Sequence, residues 1–279
     1  MAPVAFQIIS DLHLETESSY NYPIKQSAPY LALLGDVGRV MNDDFFKFLE
    51  RQLKKYWTVF FVLGSNEPVG TSWEIAKRKV RNFADRIERL RMTSTIGKFV
   101  FLDQARHDVN DSVTVLGCTL FSNVASDTFI VKTFDKMPIN SSLVQHWTLR
   151  DHAEAHRSDL LWLNAQVDKI SKAEPQREII VFTHHSPTLD EKSFSQNWDR
   201  EHVRLKFFNN LAKEECWTNP SVICWGFGQN HLCCDFTNAL GKRIVSNQKG
   251  DDLLPCSGFE SKKTFILGKQ DPTKSTGLL

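Results

Sequence analysis

Short apolar runs alternate with longer amphipathic stretches along most of the chain. The apolar runs are rich in Val, Ile and Phe and are bounded by turn residues, which is typical of buried β-strands. They cover residues 5–10, 29–35, 58–64, 112–121, 178–185, 221–228 and 242–248. Between them, apolar side chains recur every three or four residues, which predicts helices that bury one face. The predicted helices are residues 43–55, 73–90 and 149–171.

This alternation predicts one α/β domain over residues 1–279, in which the polar residues 269–279 form a flexible tail. The chain carries 34 basic and 33 acidic residues, so it lacks the positive surplus that binds nucleic acid or anionic membranes. No apolar run approaches the roughly 20 residues that cross a bilayer, and the first residues do not resemble a signal peptide. We therefore expect a cytoplasmic protein without nucleic-acid or membrane partners; its oligomeric state stays open.

The spacing of cysteines and histidines along the chain indicates neither a disulfide framework nor a metal site on a helix. Six cysteines occur without repeated CxxC spacing, and a chain of this length needs no disulfides for stability. We interpret them as reduced residues that fill the core. His152 and His156 are four residues apart, but no third metal ligand is evident nearby. We interpret these two histidines as part of a solvated helix face.

Ionisable and polar residues follow the apolar runs where the predicted strands end. The motifs are Asp11-Leu12-His13, Gly35-Asp36, Gly64-Ser65-Asn66-Glu67, Thr183-His184-His185-Ser186-Pro187 and Gly228-Gln229-Asn230-His231. The carboxyl ends of parallel strands meet at one edge of a sheet, where ligands usually bind, so we expect these motifs to converge. Carboxylates and imidazoles suit a borderline metal such as Zn, Mn or Fe. Each motif alone is weak, whereas the combination predicts a metal site.

In chain order, these motifs resemble the DxH, GD, GNH(E/D), histidine-containing and GHxH motifs of the calcineurin-like metallophosphoesterase superfamily. The resemblance spans residues 6–248. It implies an α/β fold of four layers, αββα, in which two mixed β-sheets are flanked by helices. It also implies two metals bridged by Asp36. The first metal is implied to bind Asp11, His13, Asp36 and His231, and all four positions match the family pattern.

The second half of the implied site departs from that pattern. Ser65 stands at the position of an Asn ligand, and Gln229 at the position of the first histidine of GHxH. Asn66 replaces the histidine that protonates the leaving group, and an amide cannot act as a general acid. Only Asp36 and His184 remain of the second ligand set. Because a Ser hydroxyl and a Gln carbonyl are poor ligands for such metals, a second metal is doubtful.

We therefore expect one divalent or trivalent metal (Mn, Fe or Zn) at the matching ligand set, or none. The leading hypothesis is a repurposed catalyst that acts on a small organic substrate and has weak or absent ordinary phosphoesterase activity. Two alternatives stay open. One is an active but atypical metal-dependent phosphoesterase, and the other is a non-catalytic pseudophosphatase that binds a ligand or regulates another protein.

Roles within the pocket follow from position and chemistry. His184, Asn66 and Glu67 are the candidate catalytic residues, and His184 is the best placed of them by motif. The candidate substrate contacts are Ser65, Gln229 and His185. We expect substrate specificity to lie in residues 123–145 and 189–200, which carry no motif that names a substrate.

Overall fold

The computed structural model describes residues 4–16, 20–123, 144–193, 209–250 and 256–267. In these residues, eleven strands form a five-stranded and a six-stranded sheet. The strands are Val4–Ile9 (β1), Tyr30–Leu34 (β2), Thr58–Val62 (β3), Lys98–Phe101 (β4), Ala105–Asp108 (β5), Val113–Cys118 (β6), Glu178–Thr183 (β7), Val222–Phe227 (β8), Cys234–Thr237 (β9), Arg243–Ser246 (β10) and Thr264–Leu267 (β11). The first sheet has the order β11-β1-β2-β3-β4, and the second has the order β5-β6-β7-β8-β10-β9.

Both sheets are mixed. The inner strands run parallel, while β11, β5 and β9 pair antiparallel with their neighbours at the sheet edges. The parallel strands bring their carboxyl ends to one edge of each sheet. At that edge the two sheets meet, because Ser10 after β1 forms a parallel bridge with Gln248 after β10.

In the described part of the chain, three long helices and one short helix cover the sheets. They are Asp43–Leu53 (α1), Trp73–Arg91 (α2), Leu149–Ala173 (α3) and Glu215–Thr218 (α4), and a 3-10 turn covers Glu191–Ser193. The long helices begin after Asn42, Ser72 and Thr148, whose side chains each accept a hydrogen bond from a backbone N–H in the first turn. Polar caps of this kind satisfy donors that a helix start leaves unpaired.

Three apolar cores separate four layers. Between the sheets, Phe6 packs on Phe60 and Phe182, with ring centroids 5.8 and 5.6 Å apart. Residues of β3 alternate, so that Phe60 faces the other sheet while Phe61 faces the core under α1 and α2. A third core lies between the second sheet and α3. The order of layers is αββα, which confirms the predicted fold class.

All seven predicted strands and all three predicted helices are present, while four strands were missed. The missed strands, β4, β5, β9 and β11, are the edge strands of the two sheets, and each has four residues. Edge strands are partly exposed, so they need no continuous apolar run. In β5 and β9, for example, every residue is half-buried or exposed. Their sequences therefore lack the signal that identified the inner strands.

The interpretation of His152 and His156 as a solvated face is wrong. His156 is 6% exposed, and its Nδ1 lies 2.6 Å from the carbonyl oxygen of Phe121. Nε2 of His152 lies 3.1 Å from Oγ of Ser122. Both histidines therefore hold the loop that follows β6 against α3.

The prediction that the cysteines fill the core is correct only in part. Cys118, Cys216 and Cys224 are buried in the core, whereas Cys233 and Cys234 are half-buried. Most of the two segments expected to set specificity, namely residues 124–143 and 194–200, and the tail 269–279 lie outside the described residues. Within the described part of the chain, no helix is long and apolar enough to cross a membrane.

Candidate metal centre

The loops after five parallel strands converge at the edge where the two sheets meet. The loop after β1 carries Asp11 and His13, and the loop after β2 carries Asp36. Backbone hydrogen bonds of 3.0 Å join these two loops, from Asp11 N–H to the Gly35 carbonyl and from His13 N–H to the Asp36 carbonyl. The loop after β8 reaches the same place, because the Gln229 N–H donates to both carboxylate oxygens of Asp11, at 3.2 and 3.1 Å.

Five of the predicted site residues have a left-handed backbone. Positive φ angles occur at Asp11 (51°), His13 (49°), Asp36 (51°), Gln229 (77°) and His231 (49°). This region is uncommon for residues with a Cβ atom, and it tends to mark functional sites when the surrounding structure enforces it. Here the hydrogen bonds between neighbouring loops enforce it.

Asp11, His13 and His231 form the first cluster of possible ligands. One ligand atom from each lies within 4.8 Å of the others. The two imidazole Nε2 atoms are 3.4 Å apart, and Nε2 of His231 is 3.8 Å from Oδ1 of Asp11. Two imidazole nitrogens and a carboxylate that face one another at these distances, with Asp11 and His13 buried, suit a borderline divalent metal.

Glu15 supports His13 from behind and was missed by the sequence analysis. Its Oε1 lies 3.1 Å from Nδ1 of His13, so the carboxylate accepts from Nδ1 and directs Nε2 towards the site. Carboxylates commonly orient metal-binding histidines in this way. The sequence signal was present, since an acidic residue follows His13 by two positions.

Asp11 also belongs to a second cluster of possible ligands, which includes Asp36. Ligand atoms of Asp11, Asp36 and His184 also lie within 4.8 Å of one another, and all three residues are buried. Nδ1 of His184 donates to the Leu34 carbonyl at 2.8 Å. Nε2 of His184 is buried and has no hydrogen-bond partner in the described residues; it lies 3.5 Å from Oδ2 of Asp36, which is close enough for an ion pair only. An unpartnered buried nitrogen of this kind fits a ligand position.

Ser65 and Asn66 contact one oxygen of Asp36, and Gln229 lies beside Ser65. Oγ of Ser65 donates to Oδ2 of Asp36 at 3.0 Å and lies 3.5 Å from Oε1 of Gln229. The Asn66 side-chain amide donates to the same Oδ2 at 3.0 Å, and its backbone N–H donates to Oδ1 at 2.7 Å. Side-chain donors therefore converge on the oxygen of Asp36 that faces His184.

Glu67 lies behind the pocket. Its side chain is fully buried and accepts backbone hydrogen bonds from Asp36 (3.1 Å), Val37 (2.8 Å) and Gly64 (2.7 Å). Burial and the nearby Asp36 charge raise the pKa of Glu67 to about 8, although the N–H donors act in the opposite direction. These contacts assign Glu67 to holding two loops together; its proposed catalytic role stays a prediction.

His185 lies between the metal centre and α3. It is 4% exposed, and its ring centroid is 5.4 Å from that of His184 and 6.0 Å from that of His152. Burial, followed by the His184 charge, lowers the pKa of His185 well below its usual value. His185 is therefore neutral, and its contact with a substrate stays a prediction.

The charges of the centre depend on one another. Burial alone would raise the pKa of Asp36, but the adjacent His184 and then His13 lower it. Burial alone would lower the pKa of His184, but Asp36 raises it to about 9. The pKa of His13 is likewise raised to about 9, because Glu15 and two aspartates outweigh burial. The carboxylates therefore lie beside two imidazoles that carry protons near neutral pH, and a bound metal would have to displace those protons.

Close packing at this edge requires glycine at position 64. A Cβ atom there would lie 2.8 Å from Cε1 of His184 and would collide with Asp36. Only a residue without a side chain lets the turn after β3 approach both groups.

Comparisons with known proteins identify the fold. No family model matches the chain. An uncharacterised protein of Acanthamoeba polyphaga mimivirus is 23% identical over 267 residues, covering 87% of this chain and 89% of the viral protein. The phosphopantetheinyl hydrolase of Mycobacterium tuberculosis has a TM-score of 0.64 and 15% identity, covering 89% of this chain and 90% of that one. A dimetal phosphatase from Danio rerio has a TM-score of 0.52 and 12% identity, covering 88% and 87%. Both solved structures have the calcineurin-like metallophosphoesterase fold, which is therefore the fold of this chain.

Proposed function

We propose that this protein is a repurposed metallophosphoesterase-fold catalyst that binds one metal and acts on a small organic substrate. The metal would be held by Asp11, His13, Asp36 and His231. The observation that carries the proposal is the environment of Oδ2 of Asp36, which accepts hydrogen bonds from Ser65 and Asn66.

This oxygen is the one through which Asp36 would bind a second metal, since it faces His184. To bind a metal, this oxygen would have to offer it a lone pair, but the oxygen already accepts hydrogen bonds from the side chains of Ser65 and Asn66. The residues that would complete the second ligand set are neutral and supply a hydroxyl at Ser65 and an amide at Gln229. Neither is a strong ligand for Zn, Mn or Fe. The donor set therefore fits one metal at the first cluster and disfavours a second.

When bound, the metal would polarise a substrate oxygen or lower the pKa of a bound water. The protein's own groups divide the remaining tasks. The pKa of His184 is raised to about 9, and its buried Nε2 has no hydrogen-bond partner in the described residues, so His184 is a group that can hold a proton within the pocket. Ser65, Asn66 and Gln229 are partly exposed and offer neutral hydrogen-bonding groups to a substrate. Such groups suit an uncharged or weakly charged molecule better than a phosphate dianion.

An atypical phosphoesterase is the second candidate. The cluster of Asp11, Asp36 and His184 favours it, because Nε2 of His184, which has no hydrogen-bond partner among the residues that the structure describes, fits a metal ligand. The solved structures of similar fold are described as a phosphopantetheinyl hydrolase and a dimetal phosphatase. A second metal would then displace the donors from Asp36. A non-catalytic ligand-binding protein remains the third hypothesis.

Metal stoichiometry separates these candidates. We expect elemental analysis of the purified protein to give one metal per chain, and anomalous scattering to place it among Asp11, His13 and His231. Two metals per chain, together with turnover of bis- and mono-nitrophenyl phosphate like that of a two-metal phosphatase, would refute the proposal. No metal after reconstitution would leave a metal-free catalyst or a binding protein.

A triple substitution, Ser65→Asn, Asn66→His and Gln229→His, tests the cause of the altered chemistry. It restores the implied ligands and general acid, and an acid alone typically contributes about 10²–10⁴-fold to the rate. We expect nitrophenyl phosphate turnover to rise by at least about 100-fold and a second metal to bind. An unchanged rate with two bound metals would show that further positions matter.

A further inference from the structure

We propose that Cys233 and Cys256 form a reversible disulfide on exposure to a low-molecular-weight disulfide such as glutathione disulfide. Their Sγ atoms lie 3.3 Å apart, so the two thiols are already in contact. A disulfide has an S–S distance of about 2.05 Å, so the sulfurs must approach by roughly 1.3 Å more. This inference rests on the thiol geometry and is independent of the proposed function.

Backbone contacts hold both cysteines on either side of the segment that follows β10. The Cys256 N–H donates to the Lys249 carbonyl at 3.0 Å, and the Lys249 N–H donates to the Ser10 carbonyl at 3.1 Å. The Gln248 N–H donates to Sγ of Cys233 at 3.3 Å. Because this segment is anchored to the end of β1, it fixes the two thiols relative to each other.

An oxidant can reach one thiol of the pair. Cys233 is half-buried and lines an open cavity of about 160 Å³ together with Asn247, Gly258 and Lys263. Cys256 is only 9% exposed. The more accessible Cys233 is therefore the first to react, and Cys256 is the resolving thiol.

The exchange balances with one glutathione disulfide per protein chain. The Cys233 thiolate attacks one sulfur of the oxidant, whose S–S bond breaks and releases one glutathione thiolate. The Cys256 thiolate then attacks Sγ of Cys233, which forms the intramolecular bond and releases the second glutathione thiolate. The protein loses two electrons and two protons, and the oxidant becomes two molecules of glutathione.

The bond would restrain the turn that carries His231. Gln248 connects the two features, since its Oε1 accepts from the His231 N–H at 2.6 Å while its own backbone N–H contacts Cys233. Oxidation would therefore tie the end of this turn, two residues after His231, to the segment at Cys256.

The test is thiol trapping on the full-length protein. Dilute protein is equilibrated in glutathione buffers from fully reduced to fully oxidised, quenched with acid, alkylated with N-ethylmaleimide and mapped by mass spectrometry. We expect a peptide pair linked through Cys233 and Cys256 that increases with oxidant and disappears with dithiothreitol. Alkylation of both cysteines across the whole series would overturn the proposal, as would a bridge to Cys234.

Two variants separate the mechanism from unspecific oxidation. Cys256→Ser should stop at a glutathione adduct on Cys233, and an unchanged intramolecular bridge in this variant would refute the pairing. Cys234→Ser is the matched control, because Sγ of Cys234 contacts Oγ of Ser246 instead of the pair. It should form the bridge with the same dependence on oxidant, and a loss of the bridge there would contradict the assignment. Circular dichroism of the reduced variants confirms that each is folded before oxidation.

Discussion

Glu67 gives the sharpest test of how the centre is built. Its carboxylate accepts three backbone hydrogen bonds, two from the turn after β2 at Asp36 and Val37, and one from Gly64 after β3. The side chain is fully buried. Replacing it by Ala removes every acceptor, while Glu67→Gln keeps one oxygen and turns an amide N–H₂ towards one of the donors.

The expected loss follows from the donors left unpaired. A buried N–H without a partner costs about 1–3 kcal/mol. For Glu67→Ala we expect the free energy of unfolding to fall by about 3–5 kcal/mol. The loss is not larger because water that enters the vacated space can accept hydrogen bonds from some of the unpaired N–H groups. For Glu67→Gln we expect a loss of about 1–2 kcal/mol. The pKa of Glu67 is raised to about 8, so the neutral amide resembles the protonated acid.

Urea unfolding measures these losses, followed both by tryptophan fluorescence and by far-UV circular dichroism. Glu88→Ala is the control, because Glu88 is 59% exposed and pairs with Arg91 at 2.8 Å on the surface of α2. It should change stability by less than about 0.5 kcal/mol. The reasoning is refuted if Glu67→Ala unfolds within about 1 kcal/mol of the wild type at an unchanged m value. Such a result would mean that the backbone N–H groups of the two loops do not need the Glu67 side chain as their hydrogen-bond acceptor.

Three further predictions concern the metal and a buried carboxyl. Glu15→Gln should weaken metal affinity by about 10–100-fold, measured by competition with a chelating dye, while exposed Glu74→Gln leaves it unchanged. Chelator treatment should lower the Tm of the wild type, because a metal bound only by the folded state stabilises it; a smaller shift is expected for His231→Ala, and equal shifts would contradict the ligand assignment. Burial raises the pKa of Asp159 to about 6, so its charge destabilises the folded state as pH rises from about 4 towards 7. Asp159→Asn should therefore gain about 3 kcal/mol relative to the wild type between pH 4 and 7 in urea titrations, and a constant difference would refute the shift.

The apolar pattern predicted the interior of both sheets but not their borders. Inner strands such as β3 are buried on both faces, so their sequences are continuously apolar and easy to recognise. Edge strands such as β9 owe their conformation to a single neighbour, β10, and their own sequence carries little sign of it. Their existence depends on contacts made after the sheet has formed.

In the metal centre too, the sequence predicted residues that belong to a local motif but not residues whose role depends on a distant contact. The convergence of Asp11, His13 and His231 was predicted because possible ligand types follow strand ends at recognisable spacings. The contact of Gln248 was not predicted, although its side chain holds the His231 backbone through a hydrogen bond across 17 residues of sequence. The inward orientation of His156 was missed for the same reason, since its partner is a carbonyl 35 residues away. Supporting residues are selected by three-dimensional contacts, which motif spacing does not record.

The buried carboxylate of Asp36 needs partners that compensate its charge. Asp11 and Asp36 are both buried within one small region, and uncompensated carboxylates there would be costly. Two metals would supply that compensation in the site that the resemblance implies. Here Asp36 instead accepts hydrogen bonds from Ser65 and Asn66 and lies beside His184. We therefore infer that Ser65 and Asn66 act together, because each donates to the oxygen that a second metal would otherwise bind.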